Sequence, residues 1–141
     1  MASRTDVRPM VRKALNARFN ASPASAFFTA VGGRLAYAKA PQDWPLPYAT
    51  FFFVSVDPAD TFTERTDDIL VQISVWADAA DTAEDIASLA YGLFEHQEMS
   101  ATGIAPFELY RDAPVPTMDE GDGITSLWQS GITLAGLVET I

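Results

Sequence analysis

A single histidine, His96, and nineteen Asp and Glu side chains are the groups from which this 141-residue chain would have to build proton transfer or metal binding. Histidine is the most frequent acid-base catalyst. Here it falls at the end of a helix expected over Asp81 to His96, where the helix dipole favours a cation and a structural role. No serine stands in a Gly-x-Ser-x-Gly elbow, and the absence of cysteine excludes thiolate nucleophiles, disulfides and thiolate metal sites. Asp67 with Asp68, and Asp119 with Asp122, are carboxylate pairs of the kind a glycosidase or a magnesium site uses. Adjacent strand residues point to opposite faces, however, and solvated loop charge accounts for such pairs equally well. Counted from Asp119, Gly121 and Gly123 occupy the third and fifth places of a calcium loop, where side-chain oxygens are required. Gly32-Gly33 follows a short helix rather than a strand, and no dinucleotide fingerprint or phosphate loop is present. No catalytic, cofactor-binding or metal-ligating residue is therefore expected. A small carboxylate-dependent or magnesium-dependent enzyme stands as an alternative favoured only by the surplus of acid.

The charge balance excludes more. Nine basic against nineteen acidic residues give a net charge of -10, the wrong sign for a protein that neutralises a phosphate backbone. Five of the nine basic residues are Arg4, Arg8, Arg12, Lys13 and Arg18, while acid dominates from Asp57 onward. A basic run of this kind is ordinarily a solvated helix face. A sharper reading pairs it with an acidic patch on another copy around a ring, with Arg8, Arg12, Asp119, Glu120 and Asp122 as candidate interface residues. Trp44, set among Pro41, Pro45 and Pro47, is either a partner-binding anchor or a lid folded over its own domain. Trp76 and Trp128 fall in strands, where packing on the sheet is expected.

The elements that must position these residues follow from periodicity. Length and apolar content suit one compact domain, with no apolar stretch approaching the ~20 residues of a membrane span and no secretory signal at the N-terminus. A cytoplasmic protein is expected. Val7, Met10, Val11, Ala14, Leu15 and Phe19 recur at helical spacing, with Asp6 as the expected cap. A second helix is expected over Ala24 to Ala30 and ends at Gly32-Gly33. Strands follow at Arg34 to Tyr37, at Tyr48 to Val56 after the proline connector Ala40 to Pro47, and at Thr66 to Trp76, where Ile69, Val71, Ile73 and Val75 alternate with more polar positions. Asp81 and Glu84 have capping-box spacing ahead of a helix that places Ile86, Leu89, Ala90, Leu93 and Phe94 on one side. After a loop near Ser100 to Ile104, strands at Pro106 to Val115 and Thr125 to Glu139 flank an acidic tip, Met118 to Gly123. The order α-α-β-β-β-α-β-β predicts an α+β domain: about five strands in a largely antiparallel or mixed sheet, flanked by two to three helices.

With these elements in order, the chain resembles the phage tail-completion family, long catalogued as a domain of unknown function, which includes tail terminators and minor neck proteins. The likeness rests on the N-terminal helix leading to Val31-Gly32-Gly33-Arg34, then Pro47-Tyr48-Ala49-Thr50-Phe51 and Val71-Gln72-Ile73-Ser74-Val75-Trp76-Ala77. The alanine-rich helix and a long closing strand complete it, from about Val7 to Val138. The resemblance implies a non-enzymatic protein, without cofactor, of the virion tail or neck, present in host cytoplasm during assembly. Its copies would close into a ring, commonly of six, on the last ring of tail-tube protein, stop tube growth and offer a surface to the head connector. DNA would pass through the lumen without specific binding, and the net charge suggests that acidic residues of the Asp57 to Asp68 region or the Asp119 to Asp122 tip face the lumen or the tube. A head-side neck or stopper protein is the neighbouring alternative, and a monomeric adaptor acting through Trp44 is a different one.

Overall fold

Ile69, Val71, Ile73 and Val75 all point to one side of a central strand, and none is more than 1% exposed. Helices must cover that side. The computed structural model describes residues 6–60 and 63–141, and Arg4 of the basic cluster lies outside them. The elements are α1 (Arg8–Asn20), α2 (Ala26–Ala30), β1 (Leu35–Tyr37), β2 (Tyr48–Pro58), β3 (Arg65–Ala77), α3 (Ala80–Phe94), β4 (Tyr110–Asp119) and β5 (Trp128–Thr140). Their order is the expected one. They form a five-stranded mixed sheet, β1-β2-β3-β5-β4, in which only β1 runs parallel to its neighbour. β2 with β3, and β4 with β5, are the two antiparallel hairpins.

α3 lies on β5 and β3 and reaches β4, through Ala83, Ile86, Ala87, Ala90, Leu93 and Phe94. Three alanines in that row bring the helix axis close to the sheet. α1 buries Val11, Ala14, Leu15 and Phe19. The rings of Phe19, Phe27 and Phe94 meet edge to face, at 5.9 Å and 6.2 Å, and so join all three helices. Arg18 ties α1 to the end of α3: its Nε donates to Leu93 O at 3.0 Å and its Nη2 to Gln97 Oε1 at 3.2 Å. This places a cation against carbonyls that the last helical turn leaves without partners.

Local capping departs from the sequence reading in instructive ways. Val7, not Asp6, is the N-cap of α1, because burying Val7 against the core decides the entry of the chain. Asp6 still serves the helix start, its Oδ1 accepting from Arg8 N at 3.0 Å. α2 begins at Ala26 rather than Ala24, with the Ser25 side chain accepting from Phe28 N. It closes as expected at Gly32 and Gly33, both at positive φ, whose amides donate to Thr29 O and Phe28 O. Asp81 lies inside the first turn of α3 and caps nothing, since Ala79 is the N-cap. α3 ends at Phe94, so His96 stands beyond the helix, at φ 56, with its amide donating to Leu109 O. Residues 106–109 are held by bridges of Phe107 to Met99 and Leu109 to Glu95. That pairing delays β4 to Tyr110 and carries it to Asp119, and β5 starts at Trp128 because 120–127 form the tip.

Gly131 of β5 lies against β3: a Cβ there would stand 2.5 Å from Ile73 O, which is backbone and cannot swing aside. Gly131→Ala must therefore spread the two central strands. A loss of about 1–3 kcal/mol in unfolding free energy is expected from urea denaturation, and an unchanged midpoint would show that the strands give way freely.

Candidate functional site

All three helices lie on one face of the sheet, so the other face and the two edges are the surfaces left for function. The chemical candidates disperse. Asp67 is 4% exposed on the helix side, while its neighbour Asp68 is exposed on the open side, so the two do not converge on one point. His96 is exposed at a backbone turn. Among the described residues no group of three or more His, Asp or Glu side chains is placed to hold a metal ion, and no helix is long and apolar enough to cross a membrane.

The acidic tip is tied together by its own carboxylates and backbone amides. Asp119 Oδ1 accepts from Gly121 N at 2.9 Å, and Asp122 Oδ1 from the amides of Ile124 and Thr125 at 2.8 and 2.6 Å. The amides of Thr125 and Ile124 hold the Asp122 carboxyl below the usual aspartate range. Fixed in this way, the tip presents Ile124 at 94% exposure, with Glu120 beside it. Asp119, Glu120 and Asp122 are thus brought together at the β4 side of the sheet.

Arg8 and Arg12 lie on the other side. Arg8 is gripped by Asp6, its Nη2 2.8 Å from Asp6 Oδ2, and this contact pulls the Asp6 carboxyl down. The Arg12 guanidinium lies 4.9 Å from the ring centroid of Tyr37 on β1. Lys13 is exposed on α1, and Lys39 is exposed just after β1. β1 and β4 are the two edges of the sheet, four strand spacings apart, or roughly 19 Å. Arg8 and Arg12 therefore cannot meet Asp119, Glu120 and Asp122 within one copy.

Trp44 occupies a third place. Because β1 and β2 are parallel, residues 38–47 must return along the sheet, and they do so over the open face. The Trp44 ring meets Tyr48 edge to face at 6.2 Å, and Tyr48 stacks on Trp76 at 6.3 Å. Burial there pushes the Tyr48 hydroxyl pKa up. This aromatic run lines a cleft of about 290 Å³ together with Lys39, Gln42 and Thr50. Trp44 is thus folded over its own domain and stays partly exposed. The Tyr48–Trp76 stack escaped the sequence reading, since it depends on cross-strand register; the only signal was an aromatic at the start of one strand and at the end of the next.

On the open face the sheet carries Tyr110, Met118 and Leu137, each about half exposed or more, around a small and polar middle of Thr50, Ser74, Gly131 and Thr133. The far edge is closed to strand pairing in part, as β4 is bulged twice.

Comparison with known proteins agrees with this architecture. The family described as Tail completion protein gp17 matches residues 13–113, from the middle of α1 into β4. Among solved structures, a chain of the one described as "Virion of native gene transfer agent (GTA) particle" superimposes with a TM-score of 0.67 at 21% identity, covering 92% of this chain and 97% of that chain. At that identity the likeness is one of fold. No curated protein matches the chain.

A depressed aspartate contributes order above the usual aspartate pKa of ~3.9 and loses it as pH falls through the lower folded value. The tip should accordingly stay fixed at neutral pH and loosen only in strong acid. In Asp122→Ala, hydrogen exchange of the Ile124 and Thr125 amides should accelerate on the order of tenfold at neutral pH. Exchange equal to that of the unaltered protein would mean that the carboxylate does not hold the tip.

Proposed function

The chain belongs to the Tail completion protein gp17 family, and on that basis we propose that this structural protein of a phage tail is a ring-forming terminator. It caps the tail tube, stops its elongation and presents a joining surface to the head side. The family match carries this reading, because it runs from the middle of α1 through α2, β1, β2, β3 and α3 to the start of β4. The charge layout supports it. A closed ring requires a heterologous contact, one patch against a different patch on the next copy. The two sides of the domain supply such patches, Arg12 of α1 over Tyr37 of β1 on one and Asp119, Glu120 and Asp122 on the other. Arg8 contributes less than its sequence position suggests, since Asp6 already neutralises it.

A net charge of -10 per copy gives a ring through which DNA passes without adhering, because like charges along the lumen repel phosphate. This family role needs no bond-making step, and the protein acts by shape and charge. The partners are further copies of itself, the tail-tube protein on one side and a head connector or neck protein on the other.

Native mass spectrometry across a wide concentration range, alone and with assembled tail tubes, should reveal a closed ring, six copies being expected. A compact two-fold dimer as the largest species, with no binding to tube ends, would overturn the terminator reading. Replacing Asp119, Glu120 and Asp122 together by Lys should lower the yield of infectious or DNA-transferring particles. Unaltered yield and tail length would remove the tip from the interface.

A further inference from the structure

Pro114 and Pro116 stand exposed on β4, on either side of Val115. Proline has no amide to donate, and β4 is bulged between Arg111 and Ala113 and again between Val115 and Met118. This edge is therefore unsuited to extending the sheet by strand addition. It offers instead an extended strip of rigid rings, which loses little conformational entropy on docking and which aromatic-lined grooves accept.

Such a groove lies toward the opposite edge of the same sheet. The cleft beneath residues 38–44 has Trp44, Tyr48 and Trp76 as walls, with Lys39 and Gln42 at its mouth. Register puts groove and strip at one level. Thr50 pairs with Ser74, Ser74 with Gly131 and Gly131 with Val115; Tyr48 pairs with Trp76, Trp76 with Gln129 and Gln129 with Met118. A copy that docks its strip in its neighbour's groove with the strands of the two aligned is displaced along the cross-strand direction, with little shift along the strands. Head-to-tail contacts with little axial rise close into rings, whereas those with a rise grow into filaments. Charge agrees: Lys39 lies at the groove, and Asp112 and Asp119 flank the prolines.

Resting on the ring reading above, we propose that the subunit seam is made by the Pro114–Pro116 strip of one copy seated in the Trp44–Tyr48–Trp76 cleft of the next. The occupant of the cleft is a second copy of this chain. Aromatic anchors of this kind commonly dominate the affinity of an interface.

The absence of cysteine from the chain gives a direct test. Gln42→Cys and Ala113→Cys combined in the full chain should, on mild oxidation, give a ladder of linked copies reaching the ring size. The two single variants mixed should give dimers only, and each alone should give none. Rings seen by native mass spectrometry without any 42-to-113 link would overturn this seam while leaving the terminator reading intact. No ring, alone or on tail tubes, would remove both. A Pro114→Ser, Pro116→Ser variant provides a second measurement: these positions are exposed, so the fold should survive. Ring association should weaken by roughly tenfold or more, and undiminished association would also sink the proposal.

Discussion

The burial of Ile69, Val71, Ile73 and Val75 beneath a single layer of helices is the contact on which the rest of this domain depends. β3 is paired on both sides over nearly its whole length, so its position is set by backbone hydrogen bonds, and these four side chains then fix which face is covered. Each contributes on the order of 1.5–3 kcal/mol of burial. A register slip of one residue would exchange them for Asp68, Leu70, Gln72 and Ser74 and leave the helices without a floor. Since α1, α2 and α3 all answer to that one face, the other face and both edges remain available for contact with other molecules.

Arginine serves structure here more than attraction. Arg18 holds the end of α3, Arg34 donates to Pro47 O at 2.8 Å and so fastens the returning connector, and Arg111 lies over the Tyr91 ring while pairing with Glu95. The Glu95 carboxyl is pulled below its usual range by that hydrogen-bonded partner. Arg8 is held by Asp6. The basic run at the start of the chain is therefore partly spent within the domain, and its patch is weaker than the sequence order suggests.

The edges show how a domain can be built for assembly without risking open-ended aggregation. Bulges and prolines deny β4 the regular ladder that an uncontrolled strand partner would need, and β1 is only three residues long. Any partner meeting these edges must then be selected by side chains, whose shape and charge can favour one geometry. A tip held by its own carboxylates is ordered in advance, and a surface already ordered loses less entropy in any contact it makes.

Much of this was legible in the sequence. Alternation in β3, the helical rows of α1 and α3, the glycine pair that ends α2 and the order of elements all arise from local periodicity and backbone preference, which neighbouring residues settle among themselves. Helix entry at Val7 and Ala79, the late start of β4 and the position of His96 outside α3 were not legible, because long-range burial and bridging override local capping signals. The separation of Arg12 from the acidic tip, the Trp44–Tyr48–Trp76 stack and the level alignment of the cleft with Pro114 and Pro116 depend on strand order and register. Those are decided only when residues distant along the chain pair across the sheet, so the sequence determined the parts and their faces, and the tertiary structure decided which of them share a surface.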